Sequence, residues 1–181
     1  MYIQGMAIDY FPTRKFYIPV DKESVLANGV VPPHMADKIV DSVKFEIPRR
    51  ALQKNGLFLL DILAHFDWKR PICFAVTTGS DVYFGLQNYF ALEGMVYRLV
   101  PIYTREMAED GSYGWVNTSA MYDNVMNKFV WGNVNGDGVY LDENNLRFCM
   151  NFRQNFARLA KALVRENKRD SALKVLDKAF E

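Results

Sequence analysis

Between Asp142 and Glu181 the apolar residues recur at helical spacing in two stretches, and this pattern restricts the fold of the chain more than any other. Phe156, Leu159, Ala160 and Leu163 fall on one helix face. The polar tetrapeptide Asn167-Lys168-Arg169-Asp170 interrupts it, and Ala172, Leu176 and Ala179 then resume the period. Small residues at facing positions let two backbones approach, so a helical hairpin is expected. Asp142 is placed to cap the first helix, whose apolar face also takes in Leu146, Cys149 and Met150.

Large and small residues in this order match the tetratricopeptide pattern, here over residues 156–181. A generic helical hairpin is the alternative. A single such unit cannot bury its own apolar face. It must pack on the rest of the chain or be followed by further repeats, and the expectation is a piece of a longer protein.

The preceding residues read as alternating strands and helices. Phe16 to Val20 is a short strand flanked by Pro12 and Pro19, and Pro32-Pro33 is a break before a helical turn at Ala36 to Val40. Val43, Phe45 and Ile47 alternate with Lys44 and Glu46, the period of a half-buried strand ended by Pro48. Leu57 to Phe66, after the Asn55-Gly56 break, is apolar nearly all round and reads as a buried helix. Pro71 to Thr77 is a continuous apolar run, expected of a strand covered on both faces. Phe84 to Leu92 reads as a helix and Met95 to Ile102 as another strand. This order implies right-handed crossovers and a small parallel sheet. Arg105 to Trp115 is a polar loop, Met121 to Phe129 has helical spacing, and Trp131 to Val139 is a Gly/Asn-rich loop. The expected class is therefore α/β, a small mainly parallel sheet with flanking helices and a C-terminal helical region. The first domain spans residues 1–115 and the helical region residues 116–181, packed as one globule.

Half of the 181 residues are apolar, enough for a hydrophobic core. A net charge of +1 gives no electrostatic case for nucleic acid. No stretch approaches the roughly 20 apolar residues of a membrane span, and the N-terminus lacks the basic and apolar regions of a signal peptide. The two cysteines, Cys73 and Cys149, read as buried thiols; a disulfide or metal pair is the alternative. No metal or cofactor is expected.

Three places invite a site. Asn133-Val134-Asn135-Gly136-Asp137-Gly138 fits the first half of a calcium loop, but position 12 is Asn144 rather than a glutamate, and a solvated turn is the preferred reading. Asp61 and His65 lie four apart on one helix face; a structural pair is preferred over an acid/base pair, because no nucleophile or oxyanion signature accompanies them. Finally, Trp68, Tyr83, Tyr89 and Tyr97 alternate with Arg70, Gln87, Glu93 and Arg98. Aromatic faces beside planar hydrogen-bonding groups suit sugars or extended peptides. The alternative is that the rings are core and the charges their solvated neighbours. The candidate ligand-binding residues are Trp68, Arg70, Tyr83, Gln87, Tyr89, Glu93 and Arg98; no catalytic residue is assigned.

Asp67-Trp68-Lys69-Arg70-Pro71-Ile72-Cys73-Phe74-Ala75, then Tyr83-Phe84-Gly85-Leu86-Gln87-Asn88-Tyr89, then Glu93-Gly94-Met95-Val96-Tyr97-Arg98-Leu99-Val100-Pro101 resemble the soluble C-terminal region of a bacterial family. Phe16 to Asp21, Tyr140 to Asn145 and Asn151-Phe152-Arg153 extend the likeness, which covers roughly Asp9 to Glu181. Members of that family are multi-spanning membrane proteins similar to protein O-mannosyltransferases. The resemblance implies a non-catalytic extracytoplasmic, or periplasmic, tail with tetratricopeptide-like repeats. Its partners would be the acceptor polypeptide or glycan and its own membrane domain. The competing implication is a structural module that docks on that membrane domain and binds no substrate.

Overall fold

The computed structural model describes residues 2–3, 6–7, 13–47, 51–104 and 113–180. Pro12, Pro48 and most of the loop read from Arg105 lie outside the described residues. By internal contacts the chain divides into two compact units. The first comprises Met1–Ile72, Thr78–Tyr89 and Val100–Glu106, the second Cys73–Thr77, Phe90–Leu99 and Met107–Glu181.

The first unit opens with a short antiparallel pair, β1 (Tyr2–Ile3) and β2 (Met6–Ala7). Strands β3 (Lys15–Pro19) and β4 (Ser42–Glu46) form an antiparallel ribbon with Ile18 opposite Val43 and Phe16 opposite Phe45. Period-2 alternation sends Ile18, Val43 and Phe45 into the core. Helix α1 (Lys22–Ala27) lies between the two strands, its first amides capped by Asp21 Oδ1. A 3₁₀ turn follows at Pro33–Lys38.

Helix α2 (Lys54–Ala64) starts before the Asn55-Gly56 pair read as its boundary. Gly56 is a packing glycine there, not a breaker, since an added Cβ would sit 3.0 Å from Phe84 Cζ. Nor is the helix buried, contrary to the expectation above. Only Gly56 and Leu63 are buried, while Leu57, Phe58 and Ile62 are exposed. The expected helix from Phe84 to Leu92 is replaced by 3₁₀ turns at Ser80–Val82 and Gln87–Tyr89 and then a strand. Phe84 and Gly85 both take positive φ, 54° and 78°, which no right-handed helix accommodates.

The second unit holds a four-stranded sheet in the order β5-β7-β6-β8, made of β5 (Cys73–Ala75), β6 (Phe90–Leu92), β7 (Val96–Leu99) and β8 (Trp115–Val116). Its β5–β7 and β6–β7 pairs are antiparallel and only β6–β8 is parallel. The mainly parallel sheet inferred from alternating elements is thus corrected to a mixed one. The order was misread because β6 and β7 are joined by a tight hairpin at Gly94, where φ is +122°. The apolar run from Pro71 contributes only three strand residues. β5 is an edge strand with Phe74 buried and Cys73 and Ala75 exposed, not a strand covered on both faces.

Helix α3 (Thr118–Asp123) runs into a π-turn at Asn124–Lys128. Helix α4 (Glu143–Arg165), capped by Asp142, and α5 (Arg169–Lys178) form the expected helical hairpin. Asn167 takes φ +61° between them, and Lys168 N donates to Leu163 O at 2.9 Å and Asn167 N to Val164 O at 3.0 Å. That pattern satisfies the last carbonyls of α4 and turns the chain. Phe156, Leu159, Ala160, Leu163, Ala172 and Val175 are buried, whereas Leu146 and Met150 are exposed. The apolar face of α4 therefore becomes core only from Phe156 onward. Among the described residues no helix is long and apolar enough to cross a membrane.

Candidate functional site

The β6–β7 hairpin places two charged side chains on one face of the mixed sheet. Arg98 stands opposite Cys73 on β5 and opposite Ala91 on β6, and Ala91 stands opposite Trp115 on β8. Residues in register share a face, so Cys73, Arg98, Ala91 and Trp115 form one row. Glu93, two residues past Ala91, lies on the same face, with its Oε2 3.6 Å from Arg98 Nη1. The opposite face is apolar. Phe90 stacks on Tyr97 at 5.4 Å and meets Phe74 at 5.0 Å. There Arg158 Nη1 of α4 donates to the Tyr97 hydroxyl at 3.3 Å, and Asn155 Nδ2 donates to Met95 Sδ at 3.1 Å.

Glu93 is held from two directions. Asn117 Nδ2 donates to Glu93 Oε1 at 2.8 Å, and Asn124 Nδ2 donates to the Glu93 carbonyl at 2.8 Å. The π-turn seats Asn124 at the end of α3, and Asn117 is the residue that caps α3. The side chains of Glu93 and Arg98 are only 12% and 20% exposed. Burial strengthens their attraction, but the desolvation it costs requires that their hydrogen bonds be filled. They are not all filled. Arg98 Nε and Trp115 Nε1 are buried N–H groups with no acceptor among the described residues. Unmet donors beside a carboxylate suit a ligand that brings oxygen acceptors and a hydroxyl or amide donor.

Cys73 is exposed, not buried as expected, and Cys149 is half-buried. Partial burial pushes the Cys73 thiol up, the Glu93 carboxylate pushes it further, and Arg98 opposes both. At neutral pH it is a thiol rather than a nucleophilic thiolate. Among the described residues no three of His, Cys, Asp and Glu group to hold a metal ion.

Of the seven candidate residues, the structure brings Glu93 and Arg98 together in the second unit. The other five belong to the first unit. Trp68, Tyr83 and Tyr89 are buried. Trp68 Nε1 donates to Pro19 O, Tyr83 Oη donates to Thr78 O, and Tyr89 Oη accepts from Lys44 N. Their rings are core, with the polar ends satisfied by backbone. Arg70 is exposed and Gln87 half-buried. Trp115, Asn117 and Asn124 were not singled out from the sequence. Asn117 before Thr118-Ser119 carried an N-cap signal, but nothing local pointed its amide toward Glu93.

Asp61 and His65 are both on the exposed side of α2, not on a buried helix, with His65 Nδ1 2.9 Å from Asp61 O and 3.6 Å from Asp61 Oδ1. The segment from Asn133 to Gly138 is a pair of tight turns, with positive φ at Asn133 and Gly138 and Gly136 N donating to Asn133 O.

Residues 1–120 match the family model described as TMEM260-associated domain 2. No curated protein and no solved structure matches the chain.

Proposed function

We propose that this chain, which belongs to the TMEM260-associated domain 2 family, is a non-catalytic accessory domain of a membrane glycosyltransferase-like protein. It binds or positions the acceptor polypeptide, its glycan or a partner protein on the extracytoplasmic face. The family's description ties the domain to a membrane protein. The likeness of the chain's segments to a protein O-mannosyltransferase-like family supports the rest of the reading, including a tetratricopeptide-like role for the α4–α5 hairpin.

One observation carries the binding role. Among the described residues, Arg98 Nε and Trp115 Nε1 are left without acceptors on the sheet face that also holds Glu93. Leaving a buried donor unmet costs about 1–3 kcal/mol, and a bound oxygen-rich ligand removes that cost. Titration of capped peptides and their O-mannosylated counterparts into the chain tests it. Binding that falls tenfold or more in Arg98→Gln and in Glu93→Gln, with the far-ultraviolet circular dichroism unchanged, is the expected result. Binding that both variants retain rules out this face.

A second reading is favoured by Leu57, Phe58 and Ile62, exposed together on α2. In it the domain docks on its own membrane domain and binds no substrate. Under this reading no probe binds the isolated chain, and replacing Phe58 and Ile62 by serine lowers the yield of the full-length protein.

A further inference from the structure

The first half of α4 and the loop before it enclose an apolar groove of about 260 Å³ within the second unit. Trp131, Phe148, Phe152 and Phe156 form its walls. Trp131 meets Phe152 edge to face at 5.6 Å and Phe156 at 6.0 Å. The groove lies outside the residues that match the family.

Three features of the groove bear on its occupant. Trp131 Nε1 is a buried donor with no acceptor among the described residues. Among the described residues of the lining, the charged ones, Arg153 and Lys178, are both cations. Lys178 Nζ is spent on Met126 O at 3.3 Å, but Arg153 forms no ion pair among the described residues. At the rim, the carboxamides of Asn135 and Asn145 offer a donor and an acceptor each, the complement of a peptide unit.

From this we infer that the groove is a binding site for an acidic polypeptide segment of a partner, with apolar side chains alternating with carboxylates. Apolar side chains fill the aromatic trough, a carboxylate pairs with Arg153, and a backbone carbonyl accepts from Trp131 Nε1. Arg153, a cation without an ion pair among the described residues, sets the sign of the partner, and the amides favour peptide over lipid. The inference rests on the reading above and gives its polypeptide partner a chemistry.

The test is a titration of the full chain with a short capped peptide alternating leucine or phenylalanine with glutamate. Controls replace glutamate by glutamine or lysine, and phosphatidylserine vesicles serve as a lipid probe. The readouts are calorimetry and the indole N–H resonance of Trp131, assigned with Trp131→Phe. The glutamate peptide should bind and move that resonance. Arg153→Gln and Phe148→Ser should each weaken it tenfold or more; both residues are exposed, so the circular dichroism should not change.

If the glutamate peptide binds while Trp131 stays unmoved and Arg153→Gln is silent, the groove assignment falls and the accessory reading stands. Preference for the lysine peptide or for vesicles overturns the assignment as well. If no peptide binds at millimolar concentration, the groove assignment falls, and the accessory reading is decided by the Arg98 and Glu93 titration alone.

Discussion

The carboxamide of Asn117 caps α3 through its oxygen and holds Glu93 through its nitrogen, donating to Glu93 Oε1 at 2.8 Å while its Oδ1 accepts from Ala120 N at 3.4 Å. One side chain therefore ties the helix start to the β6–β7 hairpin. Asn117→Ala should cost about 2–4 kcal/mol in urea denaturation, the sum of a lost cap and a half-buried carboxylate short of a donor. Asn117→Asp keeps the cap but sets a second carboxylate against Glu93. Two like charges raise the folded-state pKa of the pair above its unfolded value. Stability is then present below the ordinary carboxylate range, about pH 4, and is lost as pH rises through the raised value. Asn117→Asp should be close to wild type in acid and weaker than Asn117→Ala at neutral pH. Equal behaviour of the two variants at both pH values would show that Asn117 does not support Glu93.

The same sheet face governs Cys73. Burial and then Glu93 hold its thiol above the usual range, with Arg98 acting against them. In a Cys149→Ser background, the pH–rate profile of iodoacetamide alkylation should lie above that of a free thiol. Glu93→Gln should move its midpoint down and Arg98→Gln should move it up. Shifts of the same sign in both variants would mean that the two charges do not act on this thiol.

Some of this architecture was legible because local signals agreed with the tertiary result. Val43 and Phe45 alternate with polar neighbours, Asp142 precedes a helical period, and Asn167 sits where a helix can end in the left-handed region. The misreadings share a cause. The run from Pro71 to Thr77 is apolar, yet β5 has a neighbour on one side only, and periodicity does not tell an edge strand from a central one. Phe84, Leu86, Tyr89 and Phe90 are buried at spacings a helix would also give. Trp68, Tyr83 and Tyr89 read as candidate binding residues, but backbone partners that periodicity does not reveal, Pro19 O, Thr78 O and Lys44 N, accompany rings that the fold buries. Glu93 and Arg98 are brought together by the hairpin turn, which is why they, among the seven candidates, share a site.

Gly85 gives a backbone test within the first unit. Its φ is +78°, and an added Cβ would lie 2.7 Å from Glu46 O. The left-handed conformation alone costs a residue with a Cβ about 1–2 kcal/mol, and the carbonyl of β4 cannot rotate out of the way as a side chain would. Gly85→Ala should therefore destabilise the protein by about 2 kcal/mol or more, whereas Gly29→Ala, with open space around its Cβ position, should cost only the conformational share. Equal losses at the two positions would mean that the Gly85 contact is relieved by backbone movement.

Two phenylalanines on α4 separate the core from the groove. Phe156 is 1% exposed and Phe148 is 55% exposed, although both line the same cavity. Phe156→Ala removes a ring packed at the base of the α4–α5 hairpin and should cost about 3–5 kcal/mol. Phe148→Ala loses little buried area and should stay within about 0.5 kcal/mol of wild type in urea denaturation. The pair thus dissociates stability from recognition, since loss of peptide affinity in Phe148→Ala without loss of stability is the behaviour of a binding wall. A Phe148→Ala protein as unstable as Phe156→Ala would instead place the first half of α4 in the core, and the groove would then be a packing defect rather than a docking site.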